Sequence, residues 1–197
     1  QQLAGGFVDP DLDPWLQLTA PCWIGFDKTP ICVGYGKNAA SHIQHALAQI
    51  NDAVQISTGP LFVCVLRASL AIECFGGASW APPLIPPFGS FLTVSVSAVA
   101  ACAIRSADYA LACFGDLSTL GGAPAGAFRA VAATDDHACA LRKADSIAVC
   151  WGVDVLGSTH PRAIPAIAVS VANAQTCLLR ASDLGIECVG AVSFVPP

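Results

Sequence analysis

Short apolar runs, interrupted by small or polar residues, recur along the chain and come in pairs. Within a pair, two runs flank a polar turn, as in segments 102–105 and 110–115 around Asp108. Runs of this length, bounded by turn residues, are typical of β-hairpins. The hydrophobic pattern therefore predicts a chain built mainly from β-strands.

A further apolar run precedes the last four hairpins and predicts a third strand in each unit. Residues eight and six positions before the first cysteine of the hairpin tend to be β-branched, and this spacing places both side chains on one face of a strand. Two pairs follow the spacing in full and two in part: Val94/Val96 and Val169/Val171, then Ile56/Thr58 and Val131/Ala133.

Ten cysteines set the period of the pattern. They lie 10 or 11 positions apart within a pair, and successive pairs begin 42, 38, 37 and 38 positions apart, which indicates a repeat protein. Zinc sites usually show Cys-x2–4-Cys clusters, which this sequence lacks, so disulfides are favoured and no metal site is predicted. Opposed cysteines of one hairpin can reach disulfide distance. The predicted pairs are Cys22–Cys32, Cys64–Cys74, Cys102–Cys113, Cys139–Cys150 and Cys177–Cys188.

One segment departs from the strand pattern. Between residues 38 and 54, Ile43, Leu47 and Ile50 recur at helical spacing, with Asn38 as an N-cap, which predicts one short inserted helix. The whole chain, 1–197, is expected to be a single repeat domain. Its units are predicted at 7–36, 54–80, 91–120, 128–157 and 166–197.

The repeats resemble those of the regulator-of-chromosome-condensation superfamily. The shared pattern is Cys, any residue, Leu or Ile, Arg, a turn, and a strand that ends in Cys-aromatic-Gly, as in segment 139–152. The first unit lacks the Arg. The resemblance implies an all-β fold, a β-propeller that is five-bladed or incomplete, because relatives usually have seven blades. It also implies diverse functions, among them nucleotide exchange on a nuclear GTPase, inhibition of secreted β-lactamases and protein docking.

Composition narrows these functions. Apolar residues make up 54% of the chain and charged residues 12%, against a usual charged share of roughly 25%. The net charge of −5 and the lack of a Lys/Arg cluster disfavour a nucleic-acid partner. Mean hydropathy is +0.61, yet no apolar stretch is long enough for a membrane span. The cystines and the start at Gln1 predict a secreted, extracellular or cell-surface protein whose signal peptide has been removed.

Charged and polar residues carry little sign of catalysis. Arg67, Arg105, Arg142 and Arg180 follow the first cysteine of their units by three positions and are expected to bind carbonyls or turn aspartates. His137 is expected to be a packed residue. The pair His42/His45 and the run Asp9, Asp11, Asp13 are too sparse for metal sites. No nucleophile or phosphate-loop motif occurs, so we expect neither an enzyme nor a cofactor.

The expected role is a non-enzymatic structural subunit or protein-docking module of a cell-surface or filamentous assembly. The expected partners are copies of the chain, other extracellular proteins, or glycans. The alternative is a ligand-recognition propeller, lectin-like or inhibitory. Candidate interface residues are Phe194, Val195, Trp23 and Trp151. Candidate O-glycosylation positions, once hydroxylated, are Pro82, Pro83, Pro86, Pro87, Pro196 and Pro197.

Overall fold

A computed structural model describes residues 3–4, 21–33, 39–76 and 83–191, with side chains omitted for 3–4 and 39–42. In these residues, five three-stranded antiparallel sheets follow one another along the chain. Sheet 1 comprises β1 (Leu3–Ala4), β2 (Cys22–Ile24) and β3 (Pro30–Cys32); sheet 2, β4 (Ala53–Thr58), β5 (Phe62–Arg67) and β6 (Ile72–Gly76); sheet 3, β7 (Phe91–Val96), β8 (Ala100–Arg105) and β9 (Leu111–Gly115); sheet 4, β10 (Phe128–Ala133), β11 (His137–Arg142) and β12 (Ala148–Gly152); sheet 5, β13 (Ala166–Ala172), β14 (Gln175–Arg180) and β15 (Ile186–Gly190).

The predicted hairpins and third strands are confirmed, and so is the disulfide pattern. In every sheet the two cysteines occupy directly opposed positions of the second and third strands, as in Cys64 opposite Cys74. Each opposed pair forms a disulfide. Each cystine therefore closes its own hairpin.

The sheets pack face to face in chain order, as blades of a propeller do. We call the face that carries the cystine, and that packs on the following sheet, the trailing face; the opposite one is the leading face. In one apolar cluster, Cys64 and Leu66 on the trailing face of sheet 2 pack with Val94 and Val96 on the leading face of sheet 3. Equivalent clusters join sheets 3 and 4 and sheets 4 and 5. The core is therefore divided among the junctions between sheets.

A glycine ends the third strand of sheets 2 to 5, and close backbone approach explains it. Gly152 has a φ of 108°, and a Cβ there would lie 2.5 Å from the carbonyl oxygen of Asp136. Only glycine adopts this conformation without strain and leaves room for that carbonyl. This accounts for the Gly of the Cys-aromatic-Gly pattern.

The inserted helix is shorter than the predicted range of 38–54. Helix α1 spans Ala39–Leu47, and Asn38 lies outside the described residues. After the helix the chain turns, with the N–H of Ile50 donating to the carbonyl of Leu47, and β4 begins at Ala53, whose N–H donates to the carbonyl of Lys28, 3.1 Å away. Ile43, Leu47 and Ile50 pack in the cluster between sheets 1 and 2.

One boundary of the predicted units also differs from the strands. The first sheet includes β1 at Leu3–Ala4, ahead of the predicted start near residue 7, while the second begins at Ala53, close to the predicted start near 54. The strand at Leu3 was missed because only two residues pair with β2. Among the described residues, no helix is long and apolar enough to cross a membrane.

Candidate interaction surface

The junctions between sheets define what a complete interface in this protein looks like. At the junction of sheets 2 and 3, Leu66 and Ile72 on the trailing face are only 2% and 8% exposed. At the junctions that follow, Ile104 and Leu141 occupy the position of Leu66 and are fully buried. A covered trailing face therefore buries the first cysteine of the unit and the aliphatic residue two positions after it, and at the junction of sheets 2 and 3 it also buries Ile72.

Hydroxyl and amide side chains tie successive first strands together. The main-chain N–H of Val96 donates to the hydroxyl oxygen of Ser57, 3.1 Å away, and that of Ala133 donates to Ser95 at 3.0 Å. The side-chain amide of Gln55 bonds to both main-chain groups of Val94, at 3.1 and 3.0 Å. These serines lie seven positions before the first cysteine of their unit, and sequence reasoning missed them, although the recurrence of Ser there was a usable signal.

A main-chain hydrogen bond also crosses every junction between described sheets. The residue two positions before the third strand adopts a positive φ, and its carbonyl accepts a hydrogen bond from the N–H of the first residue of the next sheet. Tyr109, with a φ of 62°, accepts from Phe128 at 2.8 Å. Lys28, Leu70 and Ser146 do the same toward Ala53, Phe91 and Ala166, at 3.1, 2.8 and 3.0 Å.

A buried polar chain links sheets 4 and 5. The hydroxyl of Thr176 lies 3.3 Å from the Sγ of Cys139 and 2.8 Å from the Nε2 of His137. A cystine sulfur carries no proton and can only accept, whereas the role of Nε2 toward the hydroxyl depends on the tautomer of His137. Burial lowers the pKa of His137, while Asp136 and Asp154 oppose the shift. His137 is a packed structural residue, as expected.

The turn arginines pair with carboxylates, as expected from the repeat. Arg105, Arg142 and Arg180 each bind the aspartate three positions later, with closest N–O distances of 2.6, 2.6 and 2.8 Å. In sheet 2, Arg67 binds Asp52 and Glu73 instead. These exposed ion pairs fix the conformation of the turns. Since all four arginines are paired, they do not form a row of free cations along sheets 2 to 5.

The trailing face of sheet 5 carries the same groups but has no sheet packed on it within the described residues. Leu179 is half-buried and Ile186 is 63% exposed. Together with Ala168, Ser170 and Cys177, they line an open, almost wholly apolar concavity of about 180 Å³. The concavity is therefore lined by one half of a junction between blades, the half that sheet 5 supplies, and no described sheet supplies the other half.

The leading face of sheet 1 is the counterpart at the other end of the described array. Trp23 and Ile31 form an opposed pair on the face away from the cystine, and both are half-buried. Val33, which continues this face, is 48% exposed. The cystine Cys22–Cys32 points the other way, into the cluster shared with sheet 2.

The other predicted site residues are spread over the molecule. Trp151 packs between sheets 3 and 4, and its indole nitrogen is buried without a hydrogen-bond partner. Pro83, Pro86 and Pro87 lie in the extended connector before β7. The predicted residues that lie outside the described ones are Pro82, Phe194, Val195, Pro196, Pro197, Asp9, Asp11 and Asp13.

Exposed aromatic residues form a second surface feature. Phe26, in the turn of sheet 1, and Phe88, in the connector before β7, are almost wholly exposed, and Ile85 in the same connector is 72% exposed. Among the described residues, no group of three or more His, Cys, Asp or Glu side chains is arranged to hold a metal ion.

Comparisons with known proteins support the fold and extend no further. No protein-family model and no curated protein matches the chain. Among solved structures, it is similar to the ectodomain of the Physcomitrella patens receptor kinase CR4 (TM-score 0.71, 20% identity, 87% of this chain and 50% of that one). It is also similar to the CRINKLY WD40 ectodomain of the Arabidopsis thaliana receptor kinase ACR4 (TM-score 0.69, 21% identity, 87% and 60%).

A further similar structure is Prp20p from Saccharomyces cerevisiae, with a TM-score of 0.60 and 14% identity over 84% of this chain and 48% of that one. The chain thus spans between about half and three fifths of the length of these three structures. At such low identity, the likeness identifies the fold alone. The chain is an all-β repeat protein of the β-propeller type, with five disulfide-closed hairpin units and one inserted helix.

Proposed function

We propose that this protein is a non-enzymatic, extracellular structural subunit or protein-docking module of a cell-surface or filamentous assembly. One observation carries the proposal: on the trailing face of sheet 5, Ile186 is 63% exposed and Leu179 is half-buried, whereas Ile72 and Leu66 at the same positions of sheet 2 are buried. Exposed apolar patches bordered by polar groups are typical of protein interaction sites. The surface therefore supports association with another protein.

The chemistry of the cysteines supports an extracellular location. All ten are joined in disulfides, which persist in oxidising compartments and are rare in the reducing cytosol. Two of the similar structures are receptor ectodomains, so propellers of this shape do serve at cell surfaces. The paired state of the cysteines also removes them as thiolate nucleophiles, in keeping with a protein that is not an enzyme.

We further propose that the repeats are of the regulator-of-chromosome-condensation type. The support is the repeated Leu/Ile-Arg, turn and Cys-aromatic-Gly pattern on strands of a propeller fold. The acidic net charge of −5 argues against a nuclear, nucleic-acid-associated role within that superfamily.

A ligand-recognition role, lectin-like or inhibitory, is the second candidate. The exposed rings of Phe26 and Phe88 support it, because exposed aromatic side chains serve as anchors in binding interfaces. A glycan array or a screen against secreted enzymes tests it directly. Saturable binding of a glycan or an enzyme by a chain that stays monomeric would favour the ligand-recognition role over the structural role.

Light scattering of the unreduced protein after size exclusion, followed by electron microscopy of the peak, tests the leading proposal. Species well above 20.1 kDa that image as ordered particles or filaments are expected. A monodisperse 20.1 kDa species at every concentration would contradict a self-assembling structural role.

Intact mass on the same sample tests the glycosylation of Pro83, Pro86 and Pro87, which predicts a mass above that of the bare chain.

A further inference from the structure

We propose that the trailing face of sheet 5 binds the leading face of sheet 1 of a second copy, so that copies associate head to tail as successive propeller blades. The inference rests on the proposed function and specifies its partner and its contact. It is drawn from three features of the open face, each of which has a satisfied counterpart at the junction of sheets 2 and 3.

The first feature is apolar. Ile186 occupies the place that Ile72 has in sheet 2, and Leu179 occupies the place of Leu66. Ile72 is 8% exposed and Ile186 is 63% exposed, although the residue and its position in the repeat are the same. A sheet packed on this face would remove both side chains, and the Cys177–Cys188 cystine, from water.

The second feature is polar. Ser170 lies seven positions before Cys177, where Ser57 and Ser95 lie in their own units, and each of those accepts a main-chain N–H of the following sheet. Within the described residues, the Ser170 hydroxyl receives no such bond. It is therefore placed as an acceptor for a strand that lies beyond sheet 5.

The third feature is a main-chain carbonyl. Leu184 has a φ of 58°, the conformation shared by Lys28, Leu70, Tyr109 and Ser146, whose carbonyls each accept from the first residue of the next sheet. No described donor meets the carbonyl of Leu184. Apolar packing, hydroxyl acceptor and carbonyl acceptor thus all point to a propeller blade as the occupant, rather than to a small ligand.

The leading face of sheet 1 supplies the matching half. Trp23 follows Cys22 as Leu178 follows Cys177, and Leu178 packs on Leu141 at the junction of sheets 4 and 5. In a contact of the same kind, Trp23 of one copy would pack on Leu179 of the other. Trp23 and Ile31 are half-buried, and Val33 beside them is 48% exposed, so this face presents apolar area to a partner.

Such a contact joins two different faces and is therefore heterologous. Heterologous contacts produce closed rings when the rotation per copy closes, and open filaments when it does not. Both products are assemblies of the kind proposed above, and electron microscopy separates them.

The test is dispersal of the assemblies by Ile186→Asp, with Ile85→Asp as the matched control. Both isoleucines are exposed, so both variants should fold, but only Ile186 lies on the trailing face. An unpaired carboxylate buried in an apolar contact should raise the concentration needed for half-assembly about tenfold or more. Ile85→Asp should assemble like the unmodified chain.

Val33→Asp should disrupt the same contact from the leading face of sheet 1. If one of the two variants misfolds, the other still tests the contact. Circular dichroism in the near ultraviolet identifies the folded variants. If Ile186→Asp and Val33→Asp both assemble as the unmodified chain does, the head-to-tail contact is wrong while the structural role survives. Dispersal by Ile85→Asp alone would assign the contact to the connector before β7. An unmodified chain that never assembles would overturn both proposals.

Discussion

Ile72 and Ile186 are the same residue at the same place in two copies of one repeat, yet they meet different surroundings. Ile72 is covered by sheet 3, whereas no described sheet covers Ile186, which lies beside the fifth cystine. The difference shows that sheet 5 carries the same apolar residue that sheet 2 buries in a covered junction, although no described sheet follows sheet 5. In a repeat protein, stability is the sum of such junctions, so an open junction leaves stabilising free energy unused.

The contrast extends to polar groups. Ser95 and the carbonyl of Tyr109 are satisfied by sheet 4, while Ser170 and the carbonyl of Leu184 have no partner from a following sheet among the described residues. Both unsatisfied groups border the exposed face, where water is available to them. A partner blade would replace that water with main-chain N–H donors and leave neither acceptor unpaired, which favours blade-like partners over purely apolar ones.

Removal of a disulfide should give the largest difference in the free energy of unfolding between a covered junction and the trailing face of sheet 5. Replacing Cys102 and Cys113 with alanine should destabilise the fold by about 3 kcal/mol from loop entropy, and more because this cystine is buried between sheets. The same change at Cys177 and Cys188 should cost the isolated chain only the loop-entropy part. Urea unfolding of both double variants measures the gap. Equal losses would show that the junction adds nothing to the disulfide.

Truncation of the paired isoleucines gives the next largest contrast. Ile72→Ala should lower the free energy of unfolding by about 2–4 kcal/mol, because it leaves a cavity between sheets 2 and 3. Ile186→Ala, on the open face, should cost the monomer under about 1 kcal/mol. Chemical denaturation at a concentration too low for assembly compares them. A similar loss at both positions would mean that the trailing face of sheet 5 is covered in solution.

A pH dependence of stability should arise at the junction of sheets 4 and 5. The pKa of His137 lies below its usual 6.5 because burial disfavours the charged ring. As pH falls below 6.5, the unfolded chain binds a proton that the folded chain does not, so stability declines until the lowered pKa is passed. His137→Gln, which borrows the residue that unit 5 has at this place, should show a smaller drop in melting temperature between pH 7.5 and 5. An identical drop in both chains would assign the effect to other groups.

The smallest contrast is expected for the serines. Ser95→Ala should cost about 1 kcal/mol, because the N–H of Ala133 loses its acceptor. Ser170→Ala should leave the monomer unchanged and weaken only its assembly. Thermal unfolding and light scattering of the two variants separate these effects. A destabilised Ser170→Ala monomer would show that Ser170 already accepts a bond within the chain.

Local pattern was enough to predict the hairpins, the third strands and the cystines, because alternation and cysteine spacing report on strands that pair with their sequence neighbours. It was not enough to predict where α1 ends. The helix ends at Leu47, and by Ala53 the chain is already bonded to the carbonyl of Lys28, a contact between sheets. The role of Trp151 follows the same logic: its place in the repeat was visible, but its position between sheets 3 and 4 depends on packing.

The candidate surface was predictable only in part. Trp23 stood out by residue type, whereas Leu179 and Ile186 looked like core residues, since Leu66 and Ile72 at the same positions of sheet 2 are buried. What distinguishes them is the absence of a following sheet among the described residues, which no local pattern encodes. Phe194 and Val195 remain predictions, because they lie outside the described residues.

Mixing the two face variants tests the head-to-tail account most directly. Ile186→Asp retains an intact leading face and Val33→Asp an intact trailing face, so each alone should be a monomer. An equimolar mixture should form a heterodimer of twice the 20.1 kDa chain mass by light scattering and stop there, because the remaining faces are both blocked. A mixture that stays monomeric while the unmodified chain assembles, or one that grows past the dimer, would contradict the account.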